Sequence, residues 1–159
     1  MEMFSPFGRS PEGGQKISLF LLRVGMGILF FWAGYTKLIN PAWSAAGYIS
    51  GSKVFAGFYS WLLSPNILPT INFLNEWGLT LIGAALILGI FVRFASFFGI
   101  LLMVLYYLPI FPPAHGLVDE HIIYSLVFLV LMAFGAGKIL TLNNWIQTRL
   151  HPMWHKFID

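Results

Sequence analysis

Ionisable side chains in this sequence gather near the ends of long apolar segments. Lys37 closes the first segment and Glu76 opens the second. Asp119 and His121 open the last segment, shortly after His115. Carboxylates and imidazoles can exchange protons with a bound molecule, and a lysine can hold an anion or a carbonyl oxygen. If the segments are helices that cross a membrane in alternating directions, these ends meet at one depth, and we expect a pocket there.

Two sets of candidate site residues follow from this placement. The proton-exchanging, catalytic set is Glu76, His121 and Asp119. The set that would bind a substrate or quinone is Lys37, Arg23, Tyr35 and His115. A structural alternative is that Lys37 and Glu76 form an ion pair that only holds two helices together.

Arg23 lies inside an apolar segment, where an ionised side chain is costly. The first expectation is that it reaches the membrane surface, with its aliphatic stem lying along lipid. The alternative is an inward guanidinium that binds a carboxylate, a lipid phosphate or a quinone headgroup. Gly27 and Gly34 share its helical stripe, and small residues favour a face where helices approach closely.

Thiol chemistry is excluded, and metal chemistry has little support. The chain has no cysteine, so disulfides, thiolate nucleophiles and thiol-attached cofactors cannot form. His115, Asp119 and His121 could offer nitrogen and oxygen donors, but no further histidine or cysteine accompanies them, and we predict no metal site. His151 and His155 are expected at the surface of the C-terminal tail. Redox chemistry would therefore use a bound cofactor, a diffusible quinone or a partner subunit.

Composition places these residues in a membrane protein. Of 159 residues, 58% are hydrophobic, 18% are aromatic and 9% are charged, whereas a soluble domain carries about 25% charged residues. So few charges could not cover the apolar surface of a water-soluble fold of this size. The net charge of +3 is scattered rather than gathered in a basic stripe, which argues against a nucleic-acid partner.

The apolar segments predict an all-α bundle of four transmembrane helices, over about 17–39, 73–92, 94–111 and 120–137. The stretch 77–111 is too long for one crossing, so a turn near Gly89–Arg93 must divide it. Asp119 is a plausible N-cap for the last helix, and Gly135 and Gly137 lie near its end.

The flanking segments complete a one-domain organisation. Residues 1–16 are predicted to form a polar cytoplasmic tail, 17–142 the membrane domain, and 143–159 a tail with a short interfacial helix. The aromatic-rich connection 40–72 predicts one or two short interfacial helices, ended by Pro65 and Pro69. Most basic residues share a side with Arg93 and both termini, which predicts cytoplasmic termini in a cell (inner) membrane.

Three stretches of the chain resemble the DoxX/DoxD family of small four-helix membrane proteins. They are RVGMGILFFWAGYTKLINP, NEWGLTLIGAALILGIFVRFAS and HGLVDEHIIYSLVFLVLMAFGAGKILTLNNW, within about residues 17–147. The resemblance implies a bundle in the cytoplasmic membrane and, for DoxD-like members, a subunit of a thiosulfate:quinone oxidoreductase that works with a DoxA-like subunit. The family's usual Gly-Leu-Asp after the last span is replaced here by Thr141-Leu142-Asn143.

Two functions remain open at this point. The first is a quinone-reactive subunit of a membrane oxidoreductase, with a quinone as diffusible substrate, no covalently bound cofactor, and other membrane or periplasmic subunits as partners. The second is an accessory subunit that anchors a larger respiratory or photosynthetic complex without turnover of its own. A transporter is disfavoured because the sequence shows no inverted repeat and no paired broken helices.

Overall fold

The computed structural model describes residues 13–113 and 116–139, and their regular structure is helical throughout. The helices are α1 (Gly13–Leu38), α2 (Ala46–Ile49), α3 (Ala56–Leu62), α4 (Leu68–Leu88), α5 (Val92–Ile110) and α6 (Glu120–Ala133), followed by a 3₁₀ turn (Ala136–Lys138). The prediction of an all-α fold is thereby confirmed for these residues. The predicted interfacial helix in the C-terminal tail, with His151 and His155, lies outside the described residues.

Three of the helices are long and apolar enough to span a membrane: α1, α4 and α5, with 26, 21 and 19 residues. At ~1.5 Å per residue, even the shortest is about 28 Å long, close to the ~30 Å hydrocarbon core. Large apolar side chains point outward along them, such as Trp32 and Phe94, which are 65% and 64% exposed. Such surfaces belong in lipid rather than in water.

The predicted fourth span corresponds to α6 and the 3₁₀ turn. By itself α6 has 14 residues, about 21 Å, which is shorter than the hydrocarbon core. It begins where predicted, because the Asp119 carboxylate accepts hydrogen bonds from the amides of His121 and Ile122. It ends at Ala133 because the backbone turns at Gly135, whose φ of 60° is readily adopted by glycine.

Glycines bring α1 and α4 into close antiparallel contact. A Cβ on Gly83 would lie 2.5 Å from the Cα of Phe31, and one on Gly34 would lie 2.5 Å from the amide nitrogen of Thr80. Gly27 faces the backbone of α4 in the same way, at Ile87. The predicted small-residue stripe of α1 is therefore an interior, helix-contact face. Of the α4 glycines, Gly83 makes this contact, whereas a Cβ on Gly78 would meet no atom within 4 Å.

A tight turn joins α4 to α5, as predicted. Gly89 ends α4 with a φ of 72°, and its amide and that of Ile90 both donate to the carbonyl of Ala85. Arg93 is the second residue of α5 and is exposed.

The packing of α6 against α5 also depends on a glycine. Gly99 of α5 leaves room for the ring of Phe128 of α6. The same ring contacts Phe30 of α1 edge-to-face, with 4.9 Å between the ring centres.

Residues 40–67, here called the lid, fold over the end of the bundle at which α1 finishes and α4 begins. The lid contains the two short helices α2 and α3, which fulfils the prediction of one or two short helices there. The prediction about Pro69 was wrong: it lies in the first turn of α4, which starts at Leu68 rather than near 73. Proline is favourable in that position because the first-turn N–H groups have no helical partner. Similarly, α1 starts at Gly13, inside the predicted tail 1–16.

Pro109 explains how the lid is attached to α5. Lacking an N–H, it leaves the carbonyl of Leu105 without its helical donor. The hydroxyl of Tyr59 donates to that carbonyl at 3.0 Å, and the hydroxyl of Tyr48 donates to the neighbouring carbonyl of Tyr106 at 2.6 Å. On the other side, Asn72 of α4 accepts from the amide of Ala45 at 2.9 Å. The lid is therefore fixed to both α4 and α5.

Candidate functional site

A cavity of about 470 Å³ lies beneath the lid. This volume is in the range of small-molecule sites, which are ~300–1,000 Å³. Its walls come from the lid and from α1, α4 and α5, and they are mainly aromatic and aliphatic. The polar side chains among them are Lys37, Ser44, Tyr48, Tyr59, Asn75 and Tyr106. An apolar cavity with a few polar groups suits a flat organic molecule with oxygen substituents.

Asn75 and Tyr106 place two unpartnered polar atoms in the cavity lining. Asn75 Oδ1 and the Tyr106 hydroxyl are both buried and have no hydrogen-bond partner, although both residues line the cavity. The Asn75 side chain lies near the Tyr106 hydroxyl, but the contact does not have the geometry of a hydrogen bond. A buried polar group without a partner costs about 1–3 kcal/mol. A ligand with its own donor and acceptor would remove that cost.

Lys37 supplies a cation to the same cavity. Its Nζ donates to the carbonyl of Ala33 at 2.9 Å and lies 5.4 Å from the centre of the Trp43 ring. An ammonium group has three N–H donors, so donors beyond the one on Ala33 can serve a bound oxygen. Among the described residues, Lys37 forms no ion pair with Glu76, which acts on it only through longer-range attraction.

Glu76 does not line the cavity, although it is half-buried beside Asn75. Because α4 starts at Leu68, Glu76 lies eight residues into the helix, about 12 Å from its beginning, and not at the helix end as predicted. A Cβ on Gly34 would lie 2.9 Å from the Glu76 carbonyl. Glu76 therefore belongs to the close contact between α1 and α4.

Asp119 and His121 form a hydrogen-bonded pair at the start of α6. Asp119 Oδ2 lies 2.7 Å from His121 Nδ1, and the two side chains are 14% and 12% exposed. Burial raises the pKa of the Asp119 carboxyl, but hydrogen bonds from His121 and from two backbone amides outweigh this and hold the pKa below its usual value. A proton on Nδ1 would leave Nε2 of His121 as an acceptor.

Tyr106 connects this pair to the cavity. The ring of His121 meets that of Tyr106 edge-to-face at 6.0 Å, and Tyr106 lines the cavity on its other side. Of the predicted proton-exchanging residues, Asp119 and His121 are therefore brought together behind the cavity wall, while Glu76 lies apart in another interface.

The predicted binding residues are not gathered in one place. Lys37 lines the cavity, whereas Tyr35 is 42% exposed and stacks on Phe31 at 6.3 Å, outside the cavity lining. His115 lies outside the described residues. The expected reach of Arg23 to the surface is wrong, because the side chain is fully buried; of the alternative, the inward orientation is confirmed, but not the predicted ligand. Its Nη1 donates to the carbonyls of Ala136 and Ile139 at 2.6 and 2.8 Å, away from the cavity.

A second, more polar recess adjoins the cavity at Tyr48. It includes Lys53, Asp119 and Glu120. Burial and the carboxylates of Asp119 and Glu120 raise the pKa of Tyr48 to about 12. The Tyr48 hydroxyl therefore stays protonated at neutral pH and keeps its hydrogen bond to α5.

Asn75 and Tyr106 were not among the predicted site residues, although the sequence carries a signal for one of them. The buried stripe of α4 contains Leu79, Ile82 and Leu86, and extending its helical spacing by four residues toward the N-terminus reaches Asn75. Glu76 was predicted as a site residue because of its charge. It directly follows Asn75 in α4, so its side chain points ~100° around the helix axis from that of Asn75. Tyr106 has no comparable signal, because a tyrosine in a span is often only a packing residue.

Three apolar helices of spanning length make this chain a multi-pass α-helical membrane protein in contact with lipid. Comparison with family models assigns it further: the DoxX model matches residues 18–110, and the chain belongs to the DoxX family. The matched region runs from α1 to the end of α5 and includes the lid and the whole of the cavity lining. No curated protein and no solved structure matches the chain.

Proposed function

We propose that the protein is the quinone-binding subunit of a membrane oxidoreductase, with the quinone ring held beneath the lid. The observation that supports this most is the pair of unpartnered polar atoms, on Asn75 and Tyr106, in an otherwise apolar cavity. A quinone is a flat apolar ring with two opposed oxygens, so it matches both the walls and the polar groups of this cavity.

The polar groups could serve both redox forms. In the quinone, the carbonyl oxygens would accept hydrogen bonds from Lys37 Nζ and from the Tyr106 hydroxyl. In the quinol, the new hydroxyl groups would donate, and Asn75 Oδ1 is an acceptor that has no other donor. Tyrosine can donate or accept, so Tyr106 would keep its bond in either form.

Reduction of one quinone consumes two electrons and two protons. The family resemblance suggests a reduced sulfur anion such as thiosulfate as the electron donor, delivering its electrons through a partner subunit. The Asp119–His121 pair, which contacts Tyr106 through the His121 ring, is the proposed source of protons. Glu76, one residue from Asn75 in α4, remains a second proposed proton group.

We also propose that α6 completes a fourth crossing. His121 at its start contacts Tyr106, near the end of α5. After its end, a Cβ on Gly137 would lie 3.2 Å from Val92, at the beginning of α5. The segment thus runs beside nearly the whole of a spanning helix, which supports four crossings with both termini on one side and the lid on the other. The excess of basic residues on the side of the termini then favours the cytoplasm for that side.

The binding proposal can be tested by calorimetric titration of the purified protein, in mild detergent, with a tail-less quinone analogue. Tyr106→Phe and Asn75→Leu should each weaken binding about tenfold, because each removes one buried hydrogen bond worth ~1–1.5 kcal/mol. Tyr107→Phe is the matched control: its hydroxyl donates to the Leu117 carbonyl, and it does not line the cavity.

If both cavity variants bind the quinone analogue as tightly as the native protein does, the quinone does not bind beneath the lid and the proposal is wrong. If the native protein binds no quinone analogue but copurifies with other membrane subunits, the anchoring function replaces the one proposed here.

A further inference from the structure

The cavity is not closed on the side that faces lipid. A second, larger space of about 890 Å³ lies between α4 and α5 on the outside of the bundle. Leu74, Leu102 and Leu105 line both spaces, so the cavity under the lid and this groove adjoin at these side chains.

The groove is apolar along its whole length. Its lining includes no charged residue and runs along α5 from Leu105 to Phe94, about 16 Å of helix axis. It therefore starts beneath the lid and extends about half the thickness of the hydrocarbon core.

Gly78 keeps the groove open. A Cβ built on this residue would meet no atom within 4 Å, whereas one on Gly83 of the same helix would collide with α1. The groove-facing side of α4 is therefore without a side chain at this position, next to Leu74 and Leu81 in the lining.

We propose that the groove holds the long apolar tail of a ring-headed lipid, such as an isoprenoid quinone, whose ring occupies the cavity. This inference rests on the proposed function and adds that the ligand reaches the cavity sideways from the bilayer. The three shared leucines make a continuous apolar path from the unpartnered groups of Asn75 and Tyr106 to the lipid-facing surface. Tail length then contributes to affinity through van der Waals contacts with the groove, since a tail dissolved in lipid or detergent is already out of water.

The test compares two quinones that differ only in their tails, one tail-less and one with a long isoprenoid tail, in the native protein and in Gly78→Leu. The variant should weaken binding of the long-tailed quinone about tenfold, and leave the tail-less analogue unchanged. The ratio of the two affinities is the readout, since partitioning into detergent cancels between variants. Gly25→Leu is the matched control: it is an exposed glycine of α1 whose Cβ also meets nothing within 4 Å.

Unchanged binding of the tail-less analogue also shows that Gly78→Leu folds. Should that variant not fold, Ala84→Leu, another residue of the groove lining, provides the same obstruction. An affinity ratio that is equal in native and groove-filled proteins would overturn the tail groove but leave the cavity site standing. Displacement of the long-tailed quinone by an ordinary phospholipid would also overturn it. Failure of the tail-less analogue to bind the native protein would instead overturn the proposed function.

Discussion

At the scale of single residues, the costly polar groups of this membrane protein have two different purposes. Arg23 is fully buried and donates to two carbonyls of the 3₁₀ turn that follows α6, one at its start and one just after its end. Asn75 and the Tyr106 hydroxyl are buried without partners. The hydrogen bonds of Arg23 stabilise the bundle, whereas the unpartnered atoms of Asn75 and Tyr106 remain available to hydrogen-bond a ligand. The distinction depends on hydrogen-bond partners and not on burial or charge.

Arg23 should therefore matter for stability. Arg23→Met removes two charge-assisted hydrogen bonds, each worth ~1.5–3 kcal/mol, and leaves the carbonyls of Ala136 and Ile139 without that donor. We expect a loss of about 3–6 kcal/mol in the free energy of unfolding in detergent, with Arg23→Lys intermediate. Arg93→Met, at an exposed arginine near the start of α5, is the control and should change little. Equal effects of the two methionine variants would contradict the structural role of Arg23.

Asp119 makes the start of α6 sensitive to acid. Its pKa is lower in the folded protein than the usual value of 3.8, so its stabilising effect is complete above that value and disappears as the pH falls through the folded pKa. Asp119→Asn keeps a capping oxygen but has no charge to titrate. In thermal unfolding, the native protein should be more stable than this variant at pH 6, and the difference should shrink below about pH 4. A difference that stays constant with pH would contradict this prediction.

At the scale of helices, the bundle has two kinds of interface. Glycines press α1 against α4, whereas α4 and α5 leave an apolar groove between them on the outside. The close contact between α1 and α4 fixes the positions of two helices that line the cavity. The groove between α4 and α5 places the cavity next to lipid.

Replacing a glycine of α4 by alanine should affect stability differently at the two interfaces. Gly83→Ala places a Cβ 2.5 Å from the Cα of Phe31 and should destabilise the protein by about 1–3 kcal/mol, as overpacking does. Gly78→Ala, in the same helix but facing open space, should be neutral or slightly stabilising because alanine favours helix. Chemical unfolding of both variants measures the difference. If both alanines had the same effect, α1 and α4 would not be in close contact.

Much of this arrangement could be predicted from the sequence, for reasons that particular residues make clear. The N-cap at Asp119 and the break at Gly89 depend on local chemistry, and both lie where predicted. The helix bounds were predicted less well, because α1 and α4 start earlier than predicted and α6 has only 14 residues. The predicted Lys37–Glu76 ion pair does not form among the described residues: the Lys37 ammonium donates to the Ala33 carbonyl, and Glu76 attracts it only at longer range. The partners of Arg23 could not be predicted, since they are backbone carbonyls more than 110 residues away.

At the scale of the whole molecule, the account depends on the lid and the α4–α5 turn lying on opposite sides of the membrane. The chain has no cysteine, so single-cysteine variants report position without background. Lys53→Cys in the lid should react with an impermeant reagent on intact cells, whereas Arg93→Cys should react only after permeabilisation. Lys138→Cys should behave like Arg93→Cys if α6 completes the fourth crossing. Labelling of Lys53→Cys and Arg93→Cys from the same side would contradict the topology.

The central claim, that a quinone ring binds beneath the lid, is tested most directly by photoaffinity labelling. The purified protein would be irradiated with an azidoquinone, digested, and mapped by mass spectrometry. We predict that the label attaches to lid residues around Trp43 to Tyr59 and to α5 near Tyr106, and that excess unmodified quinone prevents it. Labelling confined to outward residues such as Trp32 and Phe94, without competition, would show that the quinone only dissolves in the surrounding lipid and would contradict the account.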